Sequence, residues 1–254
     1  MSERSERGRA TLATADDVLL EGCHLLTVEA PRAAVVVVHG FTATSEHPDV
    51  LSLAGTLHDR ALDVVWYDSR GHGRSGGHST LGDLESHDVA AAVALASERA
   101  DRVVLVGASM GAIAVLRHAA IDRDLAGVVL VSCPAAWRLP RNARGVLATG
   151  LTRTRLGRAL AARYLKVRVA SRWTNPEPPV ALVPRVSAPL TLVHGDADPF
   201  IAAADAHELE ALAVCPRRVD VVSGMGHAFD PLATPAIVAA VEWALAHAER
   251  PASP

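Results

Sequence analysis

The stretch Val106-Gly-Ala-Ser-Met-Gly-Ala112 decides how this chain folds. It follows the apolar run 103–106 and places Ser109 between two glycines, each two residues away. Glycine weakens the interior of a strand or a helix, so this pair indicates a backbone that needs it. A sharp turn from a strand into a helix has that need, because small residues on either side let the two elements pass closely. Such a turn would lift the Ser109 hydroxyl over the end of the strand, close to the start of the helix.

Short β-branched runs alternate with alanine- and leucine-rich stretches along the rest of the chain. Most runs are apolar at nearly every position, which is typical of strands buried on both faces of a parallel sheet. The connections are long enough for crossover helices. The predicted strands are 35–39, 64–67, 103–106, 128–132, 190–194 and 218–222. The predicted helices are 48–60, 82–100, 110–121, 201–214 and 235–248.

Two regions depart from this alternation. Residues 11–28 hold two apolar stretches around Ala15-Asp-Asp17, which predicts an antiparallel hairpin at one edge of the sheet. Residues 134–186 are too long for a simple crossover and predict a small helical insertion. We therefore expect residues 1–254 to form one α/β domain with a mostly parallel, doubly wound sheet.

Composition excludes several classes of protein. The net charge of −3 carries no signature of nucleic-acid binding. The N-terminus has no apolar stretch of signal-peptide length and no run has the length of a membrane span, so we expect a cytoplasmic protein. The histidines and the isolated cysteines have no metal-ligand spacing, so no metal site is expected. Nothing in the sequence indicates an oligomeric state. The isolated cysteines are Cys23, Cys133 and Cys215.

Candidate partners for Ser109 lie further along the chain. A serine hydroxyl is a weak nucleophile and needs a base that a third group orients. Asp196 and Asp198 come directly after the predicted strand 190–194, and His227 follows the last predicted strand. The order serine, acid, histidine is the one expected when the nucleophile sits on a strand-to-helix turn of this kind.

Four motifs together resemble the α/β-hydrolase superfamily, within its group of lysophospholipase-like and serine-aminopeptidase-like enzymes, which includes compact esterases and monoacylglycerol-lipase-like proteins. The motifs are Val38-His-Gly-Phe41, Tyr67-Asp-Ser-Arg-Gly-His-Gly-Arg-Ser-Gly76, Gly107-Ala-Ser-Met-Gly111, and Gly195-Asp-Ala-Asp198 with Gly226-His227. Ala108 departs from the histidine that many relatives carry before the serine. That position supports packing and belongs to no catalytic group.

The resemblance implies a role for each candidate. Ser109 would be the nucleophile, His227 the general base and then the general acid, and Asp198, rather than Asp196, the orienting acid. The backbone N–H groups of Phe41 and Met110 would form the oxyanion hole. Neither a metal nor a cofactor is implied.

The insertion would cover the nucleophile as a lid, as in similar hydrolases. It carries eleven basic residues and a single acidic residue, Glu177. Leu156, Leu160 and Tyr164 recur every four residues, which indicates one face of a helix. One interpretation is an amphipathic lid helix with a solvated arginine face; a second is arginines that bind an anionic substrate. A third is peripheral contact with an acidic membrane surface. The basic residues are Arg138, Arg141, Arg144, Arg153, Arg155, Arg158, Arg163, Lys166, Arg168, Arg172 and Arg185.

These observations predict a serine hydrolase that cleaves carboxylic esters through an acyl-enzyme. Trp137, Trp173 and the aliphatic residues of the insertion favour an apolar pocket for small to medium or aromatic acyl groups. Two alternatives remain open: an acyl thioesterase, and a non-catalytic ligand-binding protein with the same fold. Dehalogenases and epoxide hydrolases are disfavoured, because similar enzymes of those kinds carry aspartate at the position of Ser109.

Overall fold

The computed structural model describes residues 7–138, 143–172 and 174–248. Its strands are β1 (Gly8–Ala13), β2 (Leu19–Leu25), β3 (Ala34–Val38), β4 (Asp63–Tyr67), β5 (Val103–Ala108), β6 (Gly127–Val131), β7 (Leu190–Gly195) and β8 (Arg217–Val222). Its α-helices are α1 (Pro48–His58), α2 (Glu85–Ser97), α3 (Met110–Ala119), α4 (Ala143–Arg153), α5 (Arg155–Leu160), α6 (Pro179–Leu182), α7 (Ala204–Leu212) and α8 (Thr234–His247).

The eight strands form one sheet in the order β1-β2-β4-β3-β5-β6-β7-β8. All neighbouring pairs from β4 to β8 are parallel, and β2 pairs with both β1 and β4 in the antiparallel sense. The predicted doubly wound α/β fold with an N-terminal antiparallel hairpin is therefore confirmed. The carboxyl ends of β5, β7 and β8 lie along one edge of this sheet, where the loops that follow them meet.

Helices cover both faces of the sheet. Every residue of β3 is buried. Because side chains alternate along a strand, Val36 and Val38 belong to the core shared with α2, α3 and α7, whereas Val35 and Val37 belong to the core shared with α1 and α8. This double burial is the physical reason for the continuous apolar runs in the sequence.

An ion-pair network joins the turn of the hairpin to the loop after β4 and to α2. Its turn contains Asp17 with a φ of 62°, and the Thr14 N–H donates to the Val18 carbonyl at 3.0 Å. The buried Arg70 guanidinium bridges Asp16 of this turn, at 2.6 Å, and Asp88 of α2, at 2.8 Å. Arg70 thereby fixes the loop after β4 between the hairpin and α2.

The segment between β6 and β7 is helical where the structure describes it. It contains α4, α5, a π-helical turn at Ala161–Leu165, and α6. Arg141 and Trp173 lie outside the described residues, as does the side chain of Arg144. In the described ranges, no helix has both the length and the apolar character that crossing a bilayer requires.

The prediction of an amphipathic helix in this segment was wrong about the face that Leu156, Leu160 and Tyr164 form. Leu156 and Tyr164 are each 71% exposed, so the apolar line faces solvent. The residues that turn inwards are Gly157 and Ala161, which are buried. A Cβ on Gly157 would lie 2.0 Å from the Gly150 carbonyl oxygen, so the close packing of α4 and α5 selects small residues for the inner face.

Candidate active site

Ser109 occupies a sharp turn between β5 and α3. Its φ of 53° and ψ of −113° lie outside the regions that non-glycine residues favour. A Cβ on Gly107 would lie 2.5 Å from the Gly111 carbonyl oxygen, and a Cβ on Gly111 would lie 2.4 Å from the Val38 carbonyl oxygen. Both flanking glycines are thus required by close approach of the backbone, as the sequence predicted.

The three predicted catalytic side chains form one hydrogen-bonded chain. The distance from Ser109 Oγ to His227 Nε2 is 2.9 Å, and that from His227 Nδ1 to Asp198 Oδ2 is 2.7 Å. With the proton on Nδ1, the imidazole donates to the carboxylate, and its Nε2 accepts from the serine hydroxyl. This arrangement fits a general base beside a nucleophile.

Asp198 is fully buried at its side chain and is held as an anion. Burial raises its pKa, but the hydrogen bond from His227 and those from the Phe200 and Ile201 amides outweigh burial, so that the pKa lies below its usual value. The two amides donate to Oδ1 at 2.8 and 3.1 Å. Asp196, the other candidate acid, instead accepts from the Gly224 N–H at 2.7 Å and fastens the loop after β8.

Two residues that sequence reasoning missed position the loop of His227. The Ser132 hydroxyl, at the end of β6, accepts from the Ala228 N–H at 3.1 Å. Asp230 accepts from the Gly226 N–H at 3.0 Å. The Phe200 ring meets the imidazole edge-on, with centroids 5.0 Å apart. The pattern Gly-His-Ala-Phe-Asp around residue 230 was the only sequence signal for Asp230, and Ser132 had none.

Phe41 and Met110 line the larger cavity at the site together with Ser109. Met110 is the first residue of α3, and Phe41 follows Gly40, whose Cβ position would lie 3.4 Å from Ser109 Cβ. Within the described part of the chain, neither the Phe41 N–H nor the Met110 N–H donates a hydrogen bond to another group. Two amides without a hydrogen-bond partner are able to donate to an anion that forms next to them.

Comparison with known proteins places the chain in a family. Residues 29–179 match the family described as serine aminopeptidase, S33. The chain belongs to this family of α/β-hydrolases. The resemblance predicted from the four motifs is thereby confirmed.

Three proteins similar to this α/β-hydrolase share 17–25% of its sequence. It is 25% identical to the uncharacterized protein YqkD of Bacillus subtilis over 89% of this chain and 74% of that protein. The structure of the esterase Pf2001 of Pyrococcus furiosus superimposes with a TM-score of 0.76 at 21% identity, over 96% of this chain and 93% of that one. Est1E of Butyrivibrio proteoclasticus, solved with ferulic acid bound, gives a TM-score of 0.68 at 17% identity, over 94% and 99%. At these identities the solved structures establish the fold.

The loop 79–82, which lies shortly before α2, is organised by one buried carboxylate, that of Glu85. Glu85 accepts from the Ser79 hydroxyl at 2.8 Å, from both the N–H and the hydroxyl of Thr80, and from the Gly82 N–H at 2.9 Å. The Ser79 hydroxyl also lies 3.4 Å from the Met110 sulfur. The carboxylate therefore fixes a wall of the site through backbone and hydroxyl groups.

Two cavities of this α/β-hydrolase meet at Ser109 and Phe41. The larger, of about 570 Å³, is lined by α3, by the loop 79–81 and by the segment between β6 and β7. The smaller, of about 210 Å³, is lined by His227 and by residues 40–50. Ligand pockets in proteins commonly span about 300–1,000 Å³, so the larger cavity has room for a small organic molecule. No three His, Cys, Asp or Glu side chains of the described ranges are grouped as a metal site would require.

Proposed function

We propose that this α/β-hydrolase is a serine esterase that cleaves carboxylic esters of small to medium or aromatic acyl groups. The observation that carries the proposal is the hydrogen-bonded chain from Ser109 through His227 to Asp198, beside the two unpaired amides of Phe41 and Met110. The fold supports it, and so does a cavity of suitable volume that opens on the Ser109 hydroxyl.

The geometry supports acyl transfer in two steps. Ser109 Oγ attacks the ester carbonyl while His227 Nε2 takes the hydroxyl proton, and the Phe41 and Met110 amides stabilise the oxyanion. The imidazolium, held by Asp198, then gives its proton to the departing alkoxide, which leaves an acyl-enzyme. A water molecule deprotonated by His227 releases the acid and regenerates the serine.

The lining of the two cavities supports a position for each half of the substrate. His227 lines the smaller cavity and does not line the larger one. Because His227 protonates the leaving group, the alcohol occupies the smaller cavity and the acyl group the larger one. In this proposal residues 1–254 form one domain, and residues 134–186 are a lid over the acyl group.

The same assignment disfavours aminopeptidase activity, although the family carries that name. A free amino group would lie on the acyl side of the scissile bond and would need an acidic partner. None of the described residues that line the larger cavity is Asp or Glu.

Steady-state hydrolysis of p-nitrophenyl esters of graded acyl length tests the proposal, with Ser109→Ala as the matched variant. We expect turnover to fall by about 10³-fold or more in Ser109→Ala, since catalytic serines act as a unit with their base. Equal rates in the two proteins would contradict an esterase that uses this serine.

A further inference from the structure

The larger cavity carries a concentrated positive charge. Four arginines of the segment between β6 and β7 line it, and none of its described lining residues is acidic. They are Arg138, Arg153, Arg158 and Arg172. Arg158 is half-buried, whereas Arg153 and Arg172 are exposed, and desolvation of these guanidinium groups by a wholly apolar ligand would be unfavourable.

The four arginines are not equivalent. Arg138 is already paired, because it donates to Asp205 at 3.1 Å and also contacts Glu208. Arg158 and Arg172 form no ion pair with any residue in the described ranges. The Arg158 guanidinium donates to the Arg153 carbonyl at 3.1 Å, and this half-buried side chain is thereby held in place while its charge stays unpaired.

The same cavity also has apolar lining residues. Leu81, Met110 and Ile113 line it from the body of the domain, next to Ser109. An acyl group bonded to Ser109 would therefore have both aliphatic side chains and arginines within the same cavity. This combination fits a chain with an apolar stem and a negatively charged end.

The lining of the smaller cavity disfavours the alternative that the leaving group carries the anion. Asp49 lines that cavity together with His227. The His47 ring, which also lines that cavity, lies 3.6 Å from the Asp49 carboxylate. A carboxylate on the alcohol would be repelled there, whereas a small neutral alcohol fits the 210 Å³ that are available.

We propose that Arg158 and Arg172 form a carboxylate-binding subsite, and that the substrates are half-esters of dicarboxylic acids whose free carboxylate binds there. This inference rests on the proposed esterase function and specifies its substrate class. The planar guanidinium presents paired N–H donors that match a carboxylate, which is the reason to expect arginine in such a subsite.

The test compares monomethyl adipate with its neutral isostere, in which the free carboxylate is a carboxamide. We expect the intact protein to favour the carboxylate by about tenfold or more in kcat/KM, a magnitude reduced by the partial exposure of the arginines. Arg158→Gln combined with Arg172→Gln should bring the two substrates to within about twofold of each other. Raising the salt concentration should reduce the preference in the intact protein, since salt screens exposed charges.

Arg155→Gln is the matched control, because Arg155 lies on α5 beside Arg158 but is exposed and outside the cavity. It should retain the preference for the carboxylate. An intact protein that hydrolyses both adipate derivatives equally well would overturn the subsite and leave the esterase proposal standing.

A binding measurement separates the two proposals when turnover is absent. In Ser109→Ala, calorimetric titration with monomethyl adipate and with its carboxamide measures the affinity of the subsite for each compound in the absence of catalysis. Tighter binding of the carboxylate, lost in the double arginine variant, would support the subsite even if no ester were hydrolysed. Equal binding of both compounds would overturn it.

Discussion

The backbone N–H of Ser69 donates a 3.0 Å hydrogen bond to Nε2 of His39, a residue thirty positions earlier in the chain. The other ring nitrogen of His39 lies 2.8 Å from the Gly40 carbonyl oxygen and donates to it. The ring thus joins the loop after β4 to the loop that carries Phe41, and it does so as a neutral imidazole. A second proton, on Nε2, would face the Ser69 N–H, and this hydrogen bond would be lost because both groups would then be donors.

This contact predicts a loss of stability in mild acid. Burial, together with the nearby His72, lowers the pKa of His39 to about 3. A histidine whose folded pKa lies below its usual value of about 6.5 contributes its full stability above that value. That stability is lost as the pH falls from about 6.5 towards 3, at up to about 1.4 kcal/mol per pH unit for one proton.

Urea denaturation between pH 7.5 and pH 4.5 measures this effect. His39→Gln should be less stable than the parent at pH 7.5 and should lose less free energy of unfolding on acidification. Parallel pH profiles of the two proteins would show that His39 takes up no proton in this range on unfolding.

The choice between the two acids after β7 gives a second prediction. Asp198→Asn removes the carboxylate that holds the Nδ1 proton of His227, so kcat should fall by about 10³–10⁴-fold, as expected for loss of the orienting acid. Asp196→Asn is the matched control, because within the described ranges the Asp196 carboxylate forms a hydrogen bond with the Gly224 N–H and no ion pair. It should retain activity within about tenfold, since a neutral amide oxygen can still accept that bond. A larger loss in the Asp196 variant would reverse the assignment.

The strand-to-helix turn gives a third prediction, which concerns stability. Gly107→Ala would place a methyl group 2.5 Å from the Gly111 carbonyl oxygen, so the turn has to open. We expect a loss of about 2 kcal/mol or more in the free energy of unfolding. Gly55→Ala, in α1, meets no atom within 4 Å and should stabilise the protein by about 0.5–1 kcal/mol. Thermal denaturation of both variants checks the difference in sign.

The carboxylate of Glu85 gives a fourth prediction. Glu85→Gln replaces one carboxylate oxygen, an acceptor, by an amide NH₂, a donor. The neighbouring groups of Ser79, Thr80 and Gly82 all donate to this carboxylate, so the loop 79–82 should become less ordered. We expect a loss of about 2 kcal/mol or more in stability. We also expect a higher KM for ester substrates, because Ser79 and Thr80 line the larger cavity.

Glu98→Gln is the control for this substitution. Glu98 lies at the exposed end of the same helix and should change stability by less than about 0.5 kcal/mol. An unaltered KM in a folded Glu85→Gln protein would show that the loop does not shape the substrate site.

Much of the fold follows from local sequence patterns. The runs of valine in β3 and β5 are buried on both faces, and that burial is visible in the sequence as unbroken apolar character. The turn at Ser109 was predictable for the same kind of reason, because Gly107 and Gly111 meet a steric requirement within a few residues of the serine.

Contacts between segments that are distant in the sequence could not be predicted from such local patterns. The Ser132 hydroxyl finds the Ala228 N–H only because β6 and the loop after β8 end at the same edge of the sheet. The line of Leu156, Leu160 and Tyr164 indicated one face of an amphipathic helix, yet periodicity does not say which side of a short helix meets the domain. In this segment the close approach of Gly157 to the Gly150 carbonyl oxygen determines which side of α5 packs inwards.

The left-handed backbone of Ser109 has a consequence for efforts to improve the protein. A side chain held at this φ and ψ costs on the order of 1–3 kcal/mol, which glycine at the same position would largely avoid. A library screened for heat resistance alone would therefore enrich Ser109→Gly, a protein with higher tolerance to heat and without its nucleophile. At this position thermal stability and catalytic activity favour different residues. Directed evolution of this chain therefore has to measure both properties in every round.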